Sequence, residues 1–156
     1  MNRTRKRIAG LAGIPVAAVI FVGAALPDAL PFFHERKEVA GLAIVFGAEP
    51  EPALHEEIQF LRWRVSSLTD ERPYTGLEDA NVIITRNGAQ FGPYMLREVR
   101  GSAGQYETRH IFTEAGEYGS VLSFRKGSEP TIHQVSFEFT INDRASIEMP
   151  GRRTGR

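Results

Sequence analysis

Four histidines are the side chains in this sequence that most readily suit a metal ion. They are His34, His55, His110 and His133, and they are separated by 21, 55 and 23 residues, so no two are close in sequence. A transition-metal site needs at least three ligands with ordered neighbours around them. His110 and His133 lie in segments that alternate like strands, so they are the candidate metal ligands if those strands are neighbours. The spacing by itself predicts no metal site.

Sulfur ligands are scarce. The chain has no cysteine, which excludes disulfides, thiolate zinc sites, iron–sulfur clusters and cysteine nucleophiles. Apart from the initiator, its methionines are Met95 and Met149, which are too few and too scattered for the methionine-rich site that copper(I) favours. We therefore expect no bound cofactor.

Catalytic motifs are also missing from the sequence. It contains no Gly-x-Ser-x-Gly elbow and no glycine-rich phosphate loop before a helix. Four carboxylates cluster around two prolines: Glu49, Glu51, Glu56 and Glu57. We interpret them as a solvated linker, with a site for a cation or a basic partner as the alternative. The sequence predicts a protein that is not an enzyme.

Two arginines flank the single tryptophan of the chain. In the segment from Ile58 to Ser66, Arg62 and Arg64 alternate with Trp63, so they face the opposite side of a predicted strand. We expect Trp63 in the core, where its indole N–H needs an acceptor. The arginines are interpreted as a solvated strand face or the rim of an interface.

The zero net charge of the chain conceals an uneven distribution. The first seven residues carry +4 and the last six carry +3, which leaves −7 for residues 8–150. An acidic body argues against a nucleic-acid partner. Residues 144–156 are predicted to be a basic, disordered tail.

The N-terminal region, residues 1–33, predicts a membrane-targeting segment. Residues 8–26 contain no charge, and as a helix they would span about 28 Å, close to the roughly 30 Å hydrocarbon core of a bilayer. The preceding basic residues stay in the cytoplasm by the positive-inside tendency. We favour a transmembrane anchor with lipid around residues 8–30 over a cleaved signal peptide, for which small residues at 22–25 offer cleavage positions. Residues 34–38 are predicted to be a linker.

Residues 39–143 predict an all-β domain, an antiparallel immunoglobulin-like sandwich of about seven strands. Short segments with period two recur about every ten residues between turn signals such as Asn87-Gly88. In the last segment, residues 134–141, apolar side chains occupy every second position. Tyr118 lies at a predicted tyrosine corner, in which the phenol bonds to the upstream backbone.

Several turn glycines and core aromatics carry a family resemblance. They include the order of residues 46–52, Gly104-x-Tyr106, Gly116-x-Tyr118 and the closing Val135-x-Phe137-x-Phe139. Over about two-thirds of its length the chain resembles the YtkA-like exported domains. The resemblance implies a small bacterial immunoglobulin-like module, of a kind sometimes found near copper-handling or respiratory genes.

Together these features predict an extracytoplasmic sandwich on one membrane span. The N-terminus lies inside the bacterial cytoplasmic membrane and the C-terminal domain lies in the periplasm. Our leading hypothesis is a structural or assembly accessory subunit of a larger integral-membrane protein complex. The alternative is a soluble periplasmic carrier of copper or a small ligand, of the YtkA-like type.

Overall fold

Alternating apolar and polar residues produce two antiparallel sheets in the computed structural model, which describes residues 35–147. These residues belong to one unit of the chain, Pro31–Arg156. They contain nine strands: β1 (Glu35–Val39), β2 (Leu42–Glu49), β3 (Ile58–Ser67), β4 (Leu77–Arg86), β5 (Ala89–Met95), β6 (Arg97–Glu98), β7 (Gln105–Ile111), β8 (Gly116–Lys126) and β9 (Ile132–Ile141).

The two sheets pack face to face as a β-sandwich, which confirms the predicted all-β class. The first sheet has the order β1-β2-β3-β7-β6, and the second has the order β5-β4-β8-β9. Every neighbouring pair of strands is antiparallel. The sandwich therefore has two strands more than the seven expected.

The core lies between the sheets and is rich in aromatic rings. Its largest fully buried side chains include Trp63, Phe46, Phe112, Phe124 and Phe137. Burial of side chains of this size is the main stabilising contribution to such a fold. Trp63 is buried as predicted, but its Nε1 has no hydrogen-bond partner among the described residues, contrary to our expectation.

Two local predictions are confirmed. Asn87 and Gly88 have φ angles of 49° and 81° and connect β4 to β5 as a tight hairpin. The Tyr118 hydroxyl donates a hydrogen bond to the carbonyl oxygen of Glu114, which is the upstream bond of a tyrosine corner.

One segment assignment was wrong. The predicted linker, residues 34–38, is largely strand β1, which pairs with β2 from Glu35 to Val39. A second feature is the crossing at residues 94–98, where the chain passes from β5 to β6, which belong to different sheets. Leu96, at the crossing, is buried and donates its N–H to the carbonyl of Ala80. The burial of Leu96 and its hydrogen bond fix the position of the chain where it passes from one sheet to the other.

Some predictions lie outside the described residues. They are the N-terminal helix in residues 1–33, the lipid contact of residues 8–30, and His34. Of the predicted tail, Arg144–Ser146 form a 3-10 turn in which Asp143 accepts a hydrogen bond from the N–H of Ala145, whereas residues 148–156 are outside. Within residues 35–147, no helix has the length and apolar character that a membrane crossing requires.

Candidate functional site

The two candidate metal ligands lie far apart. His110 is on β7 of the first sheet, and His133 is on β9 of the second. The segment before β3 bridges the ends of β7 and β9, because the N–H of His55 donates to the carbonyl of Asn142 and the N–H of Glu56 donates to the carbonyl of Phe112. His133 precedes Ile141, the last residue of β9, by eight positions, which is about 26 Å along a strand. These histidines do not form one site.

The His110 side chain lies between two aromatic rings, one from each side of the boundary between the sheets. The centre of its ring lies 5.1 Å from that of Tyr94 and 4.6 Å from that of Phe112. This burial lowers the pKa of His110, because the imidazolium form loses hydration. Its register partner on β3 is Gln59, which is fully buried and whose Oε1 has no hydrogen-bond partner among the described residues.

The other two histidines of the described residues, His55 and His133, lie beside separate groups, and the Nε2 of His133 makes no hydrogen bond there. The His133 ring lies 5.7 Å from Phe124, and its Nε2 is 3.7 Å from a carboxylate oxygen of Glu129. The Nδ1 of His55 lies 3.3 Å from the carbonyl oxygen of Asn142 and donates to it. Among residues 35–147, no three His, Asp or Glu side chains are grouped so that they would hold a metal ion.

The acidic cluster around the prolines is divided between ion pairs. Glu49 pairs with Arg62 of β3, and Glu57 pairs with Arg144 beyond β9. Glu51 and Glu56 are not in an ion pair with any described residue. The predicted cluster therefore does not converge on a common cation site.

The outer surface of β3 and β7 brings more chemistry together than any of these groups. The alternation of both strands places one set of side chains on the solvent side, and the register aligns them in rows. Arg97 of β6 lies opposite Glu107 and extends the surface. We call this surface the arginine face; it consists of Ile58, Phe60, Arg62, Arg64, Arg97, Gln105, Glu107, Arg109 and Ile111.

Arg62 is the fixed centre of the arginine face. Its guanidinium pairs with Glu49, donates from Nε to the Glu107 carboxylate at 3.1 Å, and lies 5.2 Å from the centre of the Phe60 ring. Two carboxylates and an aromatic ring therefore contact its guanidinium. This network holds β2, β3 and β7 in one arrangement.

The other arginines of this face have no such partners. Arg64, Arg97 and Arg109 are exposed, and their guanidinium groups make no ion pair or hydrogen bond with the described residues. A depression opens beside Arg64, where Gly47 contributes no side chain to the surface. The arginine face is thus positive, although residues 8–150 carry a net charge of −7.

An apolar pair completes the arginine face. Ile58 and Ile111 are direct cross-strand partners at one end of β3 and β7, and each exposes 54% of its surface. Their side-by-side position makes a small continuous apolar patch, which another molecule can cover.

Sequence reasoning found only part of this surface. The alternation around Trp63 identified Arg62 and Arg64 as outward-facing, which the structure confirms for the strand. It did not connect them with Arg109 and Ile111, which are more than forty residues away. Only the β3–β7 register joins the two segments, and the period-two pattern contains no information about which strands pair.

Comparison with known proteins adds a fold likeness. No family model matches the chain. No curated protein matches it. The solved structure of a copper-bound variant of FetP from uropathogenic Escherichia coli is similar, with a TM-score of 0.52 and 12% identity, over 69% of this chain and 94% of FetP. At this identity the likeness shows a shared fold.

Proposed function

We propose that this protein is a non-enzymatic accessory subunit of a larger integral-membrane complex. In this proposal residues 8–26 anchor the chain in the bacterial cytoplasmic membrane, and the sandwich is an immunoglobulin-like module of the YtkA-like type in the periplasm. The arginine face is the surface that contacts the complex.

The composition of the arginine face is the observation that carries this proposal. Its charged donors are all arginine, and they adjoin the exposed isoleucine pair and the Phe60 ring. Protein interfaces are enriched in arginine and aromatic residues and depleted of lysine, because a guanidinium combines a charge with a flat surface that stacks. A face that only kept the domain soluble would have no use for Ile58 and Ile111 in solvent.

Native electrophoresis of the detergent-extracted full chain tests this proposal. We expect the protein to migrate with other chains as a high-mass assembly, and to release from it when Ile58→Asp is introduced at the arginine face. Ile132→Asp is the matched control, because Ile132 is a similarly exposed isoleucine on β9 of the other sheet. A wild-type protein that migrates alone contradicts the proposal.

A second candidate function is a periplasmic carrier of copper or another small ligand. The shared fold with copper-bound FetP favours it, together with the half-buried His110, whose lowered pKa keeps the imidazole neutral as a metal ligand requires. Titration of the full chain with copper and zinc tests it. Stoichiometric binding that disappears in His110→Ala, and persists in His133→Ala as a control on the other sheet, supports the carrier; no binding removes it.

A further inference from the structure

The free arginines of the arginine face define the chemistry of its partner. We propose that this face binds a protein surface that presents carboxylates, and that Arg64 and Arg109 pair with those carboxylates on either side of the ion-paired Arg62. This inference rests on the proposed function, since it specifies the partner of the same surface.

The arginines of the arginine face differ in whether they are ion-paired within the domain. Arg62 is paired with Glu49 and Glu107, and these two carboxylates offset its charge, so it attracts a further carboxylate less strongly than the unpaired arginines do. Arg64 is two positions along β3, and Arg109 lies opposite Phe60 on β7. Successive residues on one side of a strand are about 7 Å apart, so the two free guanidiniums present separate donor pairs along one surface. Guanidinium groups bind carboxylates through two parallel hydrogen bonds.

The carboxylates that lie among the arginines favour a protein over a membrane as the partner. Glu107 and Glu49 lie among the arginines, and a uniformly anionic phospholipid surface would meet these two carboxylates as well. A protein can place its carboxylates opposite Arg64 and Arg109 alone and avoid the two glutamates. The adjacent Ile58–Ile111 pair then contacts apolar side chains of the same partner.

Charge reversal in the full chain tests whether the free arginines bind the partner. Arg64→Glu and Arg109→Glu are compared with Arg72→Glu, an exposed arginine on the loop after β3. We expect each change in the arginine face to weaken the native assembly by about tenfold or more, whereas Arg72→Glu leaves it intact. Added salt should also weaken the wild-type assembly, because it screens the attraction between the arginines and the carboxylates. Unfolding midpoints equal to that of the wild type verify that each variant folds.

A zero-length cross-link tests the carboxylates. Arg64→Lys keeps the charge and supplies an amine, which a carbodiimide joins to a carboxylate in direct contact. We expect membranes containing Arg64→Lys to yield an isopeptide between Lys at this position and an Asp or Glu of another protein. Wild-type membranes should not yield it.

The outcomes separate the two proposals. If no assembly forms in the wild type, the accessory function fails and this inference fails with it. If the assembly forms but tolerates Arg64→Glu and Arg109→Glu, only this inference is overturned. Binding of the full chain to phosphatidylglycerol vesicles that is lost in Arg64→Glu, without any isopeptide, would assign the arginine face to lipid and likewise overturn it.

Discussion

The phenol of Tyr118 donates a hydrogen bond to the carbonyl oxygen of Glu114 across 2.9 Å, which closes the turn before β8. The ring beneath it packs against Phe112 and Phe139. Tyr118→Phe removes the hydroxyl and keeps these ring contacts, so we expect the free energy of unfolding to fall by about 1 kcal/mol. Urea denaturation measures the change.

Tyr94→Phe is the control for this prediction. The Tyr94 hydroxyl makes no hydrogen bond with the described residues, while its ring packs against His110. Its removal should leave the stability within the error of the measurement. Equal losses in both variants would show that the Tyr118–Glu114 bond contributes nothing specific.

Gly104 is required for a close approach of two chain segments. Its φ angle is +71°, and a Cβ there would lie 2.6 Å from the carbonyl oxygen of Val65 and 2.9 Å from the backbone nitrogen of Tyr74. Gly104→Ala should therefore cost about 3 kcal/mol or more, because backbone atoms must move. Thermal unfolding of the purified variant measures the loss.

Gly88→Ala is the control that distinguishes the stability lost through a steric clash from the stability lost through a positive φ angle. It has a φ angle of +81°, but a Cβ there meets nothing within 4 Å. Gly88→Ala carries only the strain of a left-handed alanine, about 1 kcal/mol. If the two alanine variants lost the same stability, the contact with Val65 and Tyr74 would not be responsible.

The sequence predicted these local features because the physical causes are local. An Asn-Gly pair suits a tight hairpin, and a tyrosine four residues after Glu114 reaches its carbonyl without help from the rest of the fold. The alternation that buries Trp63 likewise belongs to one strand. Features of this kind need only neighbouring residues.

Features that depend on pairing between distant strands were predicted less well. Strand β1 contains charged residues throughout its first four positions, so it resembled a linker. It is a strand because it pairs with β2 along its whole length. Lys37 also donates to the carbonyl oxygen of Ser136 on β9, and Glu35 accepts from the N–H of Glu138. Charged residues on an edge strand are a common protection against unwanted pairing.

In the candidate site, too, the features local to one strand were predicted and those that depend on strand pairing were not. Arg62 and Arg64 were recognised from one strand, but their role depends on Glu107 and Arg109, which only the sheet register brings beside them. The separation of His110 from His133 also depends on the arrangement of distant strands, since His110 lies next to the end of β7 whereas His133 precedes the end of β9 by eight residues. No period-two pattern distinguishes these arrangements.

Ser120 provides a test of a buried hydroxyl without a partner. Its Oγ is fully buried beside the core and forms no hydrogen bond with the described residues. An unsatisfied polar atom costs stability, so Ser120→Ala should raise the free energy of unfolding by about 1 kcal/mol. Urea denaturation with a fixed m-value checks the result.

Ser123 is the matched control on the same strand. It is also buried, but its Oγ accepts a hydrogen bond from Nε2 of Gln134 at 3.1 Å. Ser123→Ala should lower stability by about 1 kcal/mol, opposite in sign to Ser120→Ala. A loss of stability in both variants would indicate that the Ser120 hydroxyl has a hydrogen-bond partner.

His110 makes the stability of the domain dependent on pH. Burial lowers its pKa below the ordinary value of 6.5, so at mildly acidic pH the unfolded chain binds more protons than the folded one. The free energy of unfolding should therefore decrease as pH falls through 6.5 toward the folded pKa. Above this window the histidine is neutral in both states and contributes no slope.

His110→Phe preserves an aromatic ring between Tyr94 and Phe112 and removes the proton, so its urea midpoint should fall less between about pH 8 and pH 5 than that of the wild type. Midpoints that decrease in parallel for the two proteins would show that another group governs the acid sensitivity.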